Sequence, residues 1–124
     1  MTLTQKLNSI REIVDMPITD DLDSIIGKGN ALSGIIGLSA ECKAQAKEAL
    51  ELAKLGVLEK FKDSEMAPSV LIKAIDAGSA TANKVYVYSD RLNAAITHQI
   101  EYIRTLISQK KSEAEIENQN SFTP

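Results

Sequence analysis

Residues 69–111 read SVLIKAIDAGSATANKVYVYSDRLNAAITHQIEYIRTLISQKK, and the apolar spacing of this stretch decides the fold. Leu71, Ile75, Gly78, Ala82, Val85, Ser89, Leu92, Ile96, Gln99, Ile103 and Leu106 alternate steps of four and three, a heptad seam kept up for about five repeats. Ile72, Ile100 and Ile107 widen it along one side. As one unbroken helix the stretch is about 65 Å long at 1.5 Å per residue. Its first half carries small seam residues (Gly78, Ala82, Ser89), which let another helix approach closely; the glycine-rich part of the preceding helix is the candidate. Its second half carries bulky ones and needs a cover of its own, either the first helix or a second copy of the chain.

The residues upstream supply the other helices. Leu3, Leu7, Ile10 and Val14 form one stripe of a short first helix, over about residues 3–15. Thr2 and Gln5 have the spacing of a capping box, and Pro17 stops the helix, because the residue before a proline is pushed out of helical geometry. A second helix is predicted over about residues 20–55. Asp20, Asp21 and Asp23 favour the positive end of its dipole, and Leu22, Ile25, Ile26, Leu32, Ile35 and Ile36 follow at helical spacing. Gly27, Gly29, Gly34 and Gly37 leave two readings open: a kink or break near Gly27–Gly29, or close packing through a face without bulk. Gly56 reads as the C-terminal cap, Asp63 or Ser64 as the cap of the third helix (about residues 66–111), and Pro68 fits its first turn. Residues 113–124, EAEIENQNSFTP, lack an apolar period and read as a flexible acidic tail; Ile116 and Phe122 could alternatively form a short docking peptide. The fold class is therefore all-α: an antiparallel hairpin of two long helices, a short N-terminal helix packed on it, and a disordered C-terminal tail. Residues 1–112 form one domain.

Composition narrows the function. The chain has 124 residues, 44% hydrophobic and 25% charged, with no Trp, two Phe and three Tyr, so its core is aliphatic. Fourteen Lys and Arg against seventeen Asp and Glu give a net charge of −3, which disfavours an overall electrostatic grip on nucleic acid or an anionic membrane, though not a local basic patch. Residues 1–16 have no continuous apolar core, and no leader is expected. The least polar run, Ala31–Ala40, is about half of what a membrane span needs. Cys42 is the single cysteine and reads as a small buried apolar residue; a cytoplasmic setting, the host's if the chain is viral, fits.

No catalytic motif is legible. GKGNALSG (residues 27–34) lacks the P-loop order, and neither a nucleophile elbow nor a zinc signature is present. No enzyme activity, metal or cofactor is expected. The candidate binding residues are Lys84, Tyr88, Arg91, His98 and Tyr102, which with Ala95 share one face of the third helix beside the seam. Cations beside aromatic rings suit a phosphate, a nucleotide or DNA; the competing reading is the polar flank of an oligomer interface. Leu92, Ile96, Ile100, Ile103, Leu106 and Ile107 are the candidate oligomer interface, because the third helix outruns the second and large apolar stripes rarely stay open.

Ala46-Lys47-Glu48-Ala49-Leu50-Glu51, a short connector expected over residues 57–63, Pro68 and Ala82-Asn83-Lys84 together resemble the oligomerisation core of small terminase subunits of tailed phages. The resemblance covers about a third of the chain and implies two antiparallel helices packed side by side into a ring, with DNA packaging as the function. It brings no site residue with it. The expectation is thus a self-associating assembly or adaptor protein, small-terminase-like in its specific form, with itself and DNA as partners. The alternative is an oligomeric binding module for a small anionic ligand or nucleotide.

Overall fold

A computed structural model describes residues 1–121, with side chains to residue 119. The described residues form four helices: α1 (Leu3–Val14), α2 (Leu22–Phe61), α3 (Pro68–Gly78) and α4 (Ala80–Ser121). The two long ones, of 40 and 42 residues, make the most extensive contact and run antiparallel. Their register is read from the pairs that meet: Asp20 with Lys110, Gly29 with Ile103, Ser39 with Asn93, Lys43 with Asp90, Lys47 with Tyr86. The turn at residues 62–67 forces this pairing, since residues nearest a hairpin turn must meet first. The glycine-rich part of α2 therefore lies against the bulky second half of α4, and not against Gly78–Ser89 as the residue sizes suggested. Gly29 gives the reason that size allows it: a Cβ there would stand 3.0 Å from Ile103 Cγ2.

α1 begins as expected. The Thr2 hydroxyl accepts from the Gln5 N–H at 3.2 Å, and the Gln5 side chain accepts from the Thr2 N–H at 2.8 Å. Leu7 and Ile10 point into the interface between α2 and α4. Lys6 lies near Cys42, Arg11 near Tyr88, and the Val14 carbonyl near both Lys28 and Gln99. α1 thus runs antiparallel to α2 and along α4, closing one side of the two-helix ribbon. The resulting core contains Leu7, Ile10, Ile25, Leu32, Cys42, Leu92, Ile96 and Ile103. Burial pushes the Cys42 thiol up from its ordinary range, as befits a small apolar filler.

α2 is unbroken through Gly27 and Gly29 and ignores Gly56, which keeps a helical backbone; the helix ends at Phe61. Its N-cap is Asp21, whose carboxylate accepts from the Ser24 N–H. α3 has Pro68 in its first turn and Ala67 as its N-cap, with no side-chain cap from Asp63 or Ser64. The rod expected over residues 69–111 is two helices. Ser79, at φ −108° and ψ 6°, interrupts it. The Ile75 carbonyl accepts from both the Ser79 N–H (3.0 Å) and the Ser79 hydroxyl (2.7 Å), a side-chain competition that bends helices. The bend lets Gly78 receive Val57 in direct contact, which holds α3 on α2. At its other end α4 carries a helical backbone past the start of α2, and residues 111–119 are all exposed. Residues 113–121, expected as part of a flexible tail, carry a helical backbone that continues α4; Phe122 lies outside the described residues. No helix among the described residues is long and apolar enough to cross a membrane.

Candidate functional site

Two sides of the α2–α4 ribbon have different fates. On the α1 side, Lys28 is buried and donates to the carbonyls of Val14 (3.0 Å) and Met16, while Gln99 Nε2 donates to Val14 at 3.0 Å. These donors take up carbonyls that the end of α1 leaves unpaired. Burial lowers the Lys28 ammonium from its ordinary range, opposed by the smaller attraction of Asp15. Arg11 Nε donates to Asp15 at 3.2 Å, and Asp15 with the nearby Tyr88 raises the guanidinium pKa. Sequence reasoning missed Lys28, because a lysine inside GKGN carries no signal of where the helix before it ends, and it read Gln99 only as a seam position.

The opposite side is open. Ile26 and Ile36 are 39% and 37% exposed, next to Ile100 and Ile107, which are only partly buried. Three shallow depressions follow one another along it. The first lies between Ile26, Gly29 and Ile107, the second between Ser33, Ile36, Thr97 and Arg104, the third between Ala40, Ala44, Asn93 and Tyr86. A Cβ at Gly34 or Gly37 would meet nothing within 4 Å. Charges flank the strip: Lys43 pairs with Asp90 at 2.9 Å, which raises the lysine, and Lys47 stands 5.1 Å above the Tyr86 ring. A second apolar surface sits at the turn end. There Leu52, Leu55, Leu58, Phe61, Met66 and Leu71 surround an open cleft of about 640 Å³, with Leu52 60% exposed.

The residues singled out from the sequence divide between these surroundings. Leu92, Ile96 and Ile103, expected at a subunit interface, are buried inside one chain, Ile96 completely. α1 supplies the cover that the length argument assigned to a second copy, so these three are core. Ile100, Leu106 and Ile107 are partly buried, and Ile100 and Ile107 border the open side. Of the cation–aromatic stripe, Arg91, His98 and Tyr102 are exposed along the outer edge of α4, away from α2. Tyr88 turns inward to the core and to Arg11. Lys84 lines a separate hollow at the Ser79 bend with Lys54 and Asp76. The stripe is therefore not one pocket. Among the described residues no three His, Cys, Asp or Glu side chains come together as a metal set. No family model, curated protein or solved structure matches this chain.

Proposed function

We propose that this chain is a non-enzymatic, self-associating assembly or adaptor protein. The observation that carries the reading is the asymmetry of the ribbon: α1 closes one side, while Ile26 and Ile36 stay exposed beside Ile100 and Ile107 on the other. A ribbon of two long helices with one side uncovered is half of a bundle, and this side, apolar at Ile26, Ile36, Ile100 and Ile107 and polar at Ser33, Asn93 and Thr97, is where a further helical element can pack. The apolar cleft at the turn end gives an adaptor a second, spatially separate surface. The specific form we favour is a small-terminase-like role in DNA packaging in the cytoplasm. Sedimentation equilibrium tests the core of the reading: it requires a species heavier than the 13.5 kDa chain at micromolar concentration, and a monomer at all concentrations refutes it.

One observation favours a second reading. Arg91, His98 and Tyr102 remain exposed on the outer edge of α4, where they are free to meet an anionic ligand, a nucleotide or a phosphate backbone. Retention on DNA that falls steeply with salt supports the packaging form, because phosphate contacts release counterions. A thermal shift with nucleotides, lost in Arg91→Ala/His98→Ala, supports the small-ligand form.

A further inference from the structure

We infer that the occupant of the open ribbon side is the same side of a second copy, related by a two-fold axis that crosses the ribbon at Gly37 and Thr97. This rests on the self-association reading and deepens it by naming the surface and its register. On α4 the open side recurs at steps of four and three from Tyr86 through Thr97 to Ile107; on α2 the same steps run from Ile26 through Gly37 to Lys47. The two central positions lie at the same level, since Ile36 and Ser33, flanking Gly37, share a depression with Thr97. Two-fold docking is self-complementary by construction: each patch must match itself when reversed.

This patch does. Reversal about Thr97 brings Asp90 of one copy opposite Arg104 of the other, twice per dimer, and Tyr86 within one residue of Ile107. On α2, Gly37 meets Gly37 and Ser33 comes within one residue of Ala40, so small residues line the crossing of the two α2 helices. Within one chain Asp90 pairs with Lys43 at 2.9 Å, with both side chains half exposed, and Arg104 lies fourteen residues or about 21 Å away along the helix; in the dimer Arg104 of the other copy joins that pair. The area is adequate. From Ile26 to Lys47 the ribbon is about 32 Å long, and two helices side by side are about 20 Å wide. That is about 600 Å² per copy and about 1,200 Å² in total, at the lower edge of stable interfaces.

Charge reversal tests it. Asp90→Arg and Arg104→Asp should each weaken the dimer about tenfold or more, by setting like charges against each other, and the double variant should recover most of the loss. Helicity by circular dichroism checks that each variant is folded. Independently, Thr97→Cys should give a disulfide-linked dimer on mild oxidation, while the wild type, whose Cys42 is buried, should not. A dimeric wild type whose single charge variants bind normally, or whose double variant is not rescued, overturns this register and leaves self-association standing. Should Asp90→Arg fail to fold, the absence of a Thr97→Cys cross-link in a dimeric protein overturns it equally. A wild type that stays monomeric overturns both readings.

Discussion

Replacing Lys28 by methionine should loosen α1 without dissolving the long hairpin. The substitution keeps the length of the side-chain stem and removes the donor that ties the ends of α1 and its following turn to α2 through the carbonyls of Val14 and Met16. Hydrogen bonds from a charged donor are each worth about 1.5–3 kcal/mol net. Part of that is returned, because the ammonium was held at a desolvation cost that burial makes visible as a lowered pKa. Val14 also keeps its bond from Gln99. The expected loss is therefore about 1–2 kcal/mol, or about 1 M in urea midpoint for a slope of about 1.5 kcal/mol/M. Hydrogen exchange should place the loss in residues 3–14, with α2 and α4 between Leu32 and Ile96 little changed. The pH dependence has a definite sign. Folded Lys28 releases its proton below the unfolded value near 10.5, so between the two values the unfolded chain holds more protons. This proton-linked increment of stability is complete above 10.5 and is lost as pH falls through the folded value, where the hydrogen bonds of the charged ammonium remain. The gap between wild type and Lys28→Met should widen with pH through that alkaline window. Equal stability of the two proteins, with unchanged exchange in α1, would refute the anchoring argument.

Other substitutions probe the packing. Gly27→Ala and Gly56→Ala meet open space on helical backbone and should each raise stability by about 1 kcal/mol in thermal or urea unfolding; Gly29→Ala, whose Cβ crowds Ile103, should lower it. Ile96→Ala should cost about 2–5 kcal/mol, since its side chain is wholly enclosed. Ile103→Asp should unfold the chain, with loss of helical circular dichroism, because Ile103 is 2% exposed in its own core; a folded variant altered only in mass would put that residue back at a subunit boundary. Arg91→Ala with His98→Ala should leave helicity and stability within about 0.5 kcal/mol of wild type, as both are exposed; a large loss would mean that they are structural.

Periodicity carried most of the fold. The stripe Leu3–Val14 and the capping box at Thr2 form as read, and the seam from Leu71 to Leu106 is buried or half-buried along two helices except at Gly78, which is exposed where they break. The seam could not say what covers it. Leu92, Ile96 and Ile103 look the same in sequence whether their cover is α1 or another copy, and only the path of the turn at 15–21 settles it. The glycines misled for a local reason: Gly56 resembles a cap, yet the favourable residues on either side of it keep the helix going to Phe61. The Ser79 bend depends on one hydroxyl reaching back to Ile75, which the heptad pattern does not register. The open strip on the far side of the ribbon was hidden for a simpler reason. Gly37, Ala40, Asn93 and Thr97 are neither apolar enough nor charged enough to stand out until both helices place them side by side.

Hydroxyl-radical footprinting at low and high protein concentration tests most directly whether the side of the ribbon facing away from α1 is where copies meet. The account expects Ile26 and Ile36 to be oxidised less as concentration rises, with His98 and Tyr102 unchanged. Constant oxidation of Ile26 and Ile36, or protection confined to His98 and Tyr102, would contradict it.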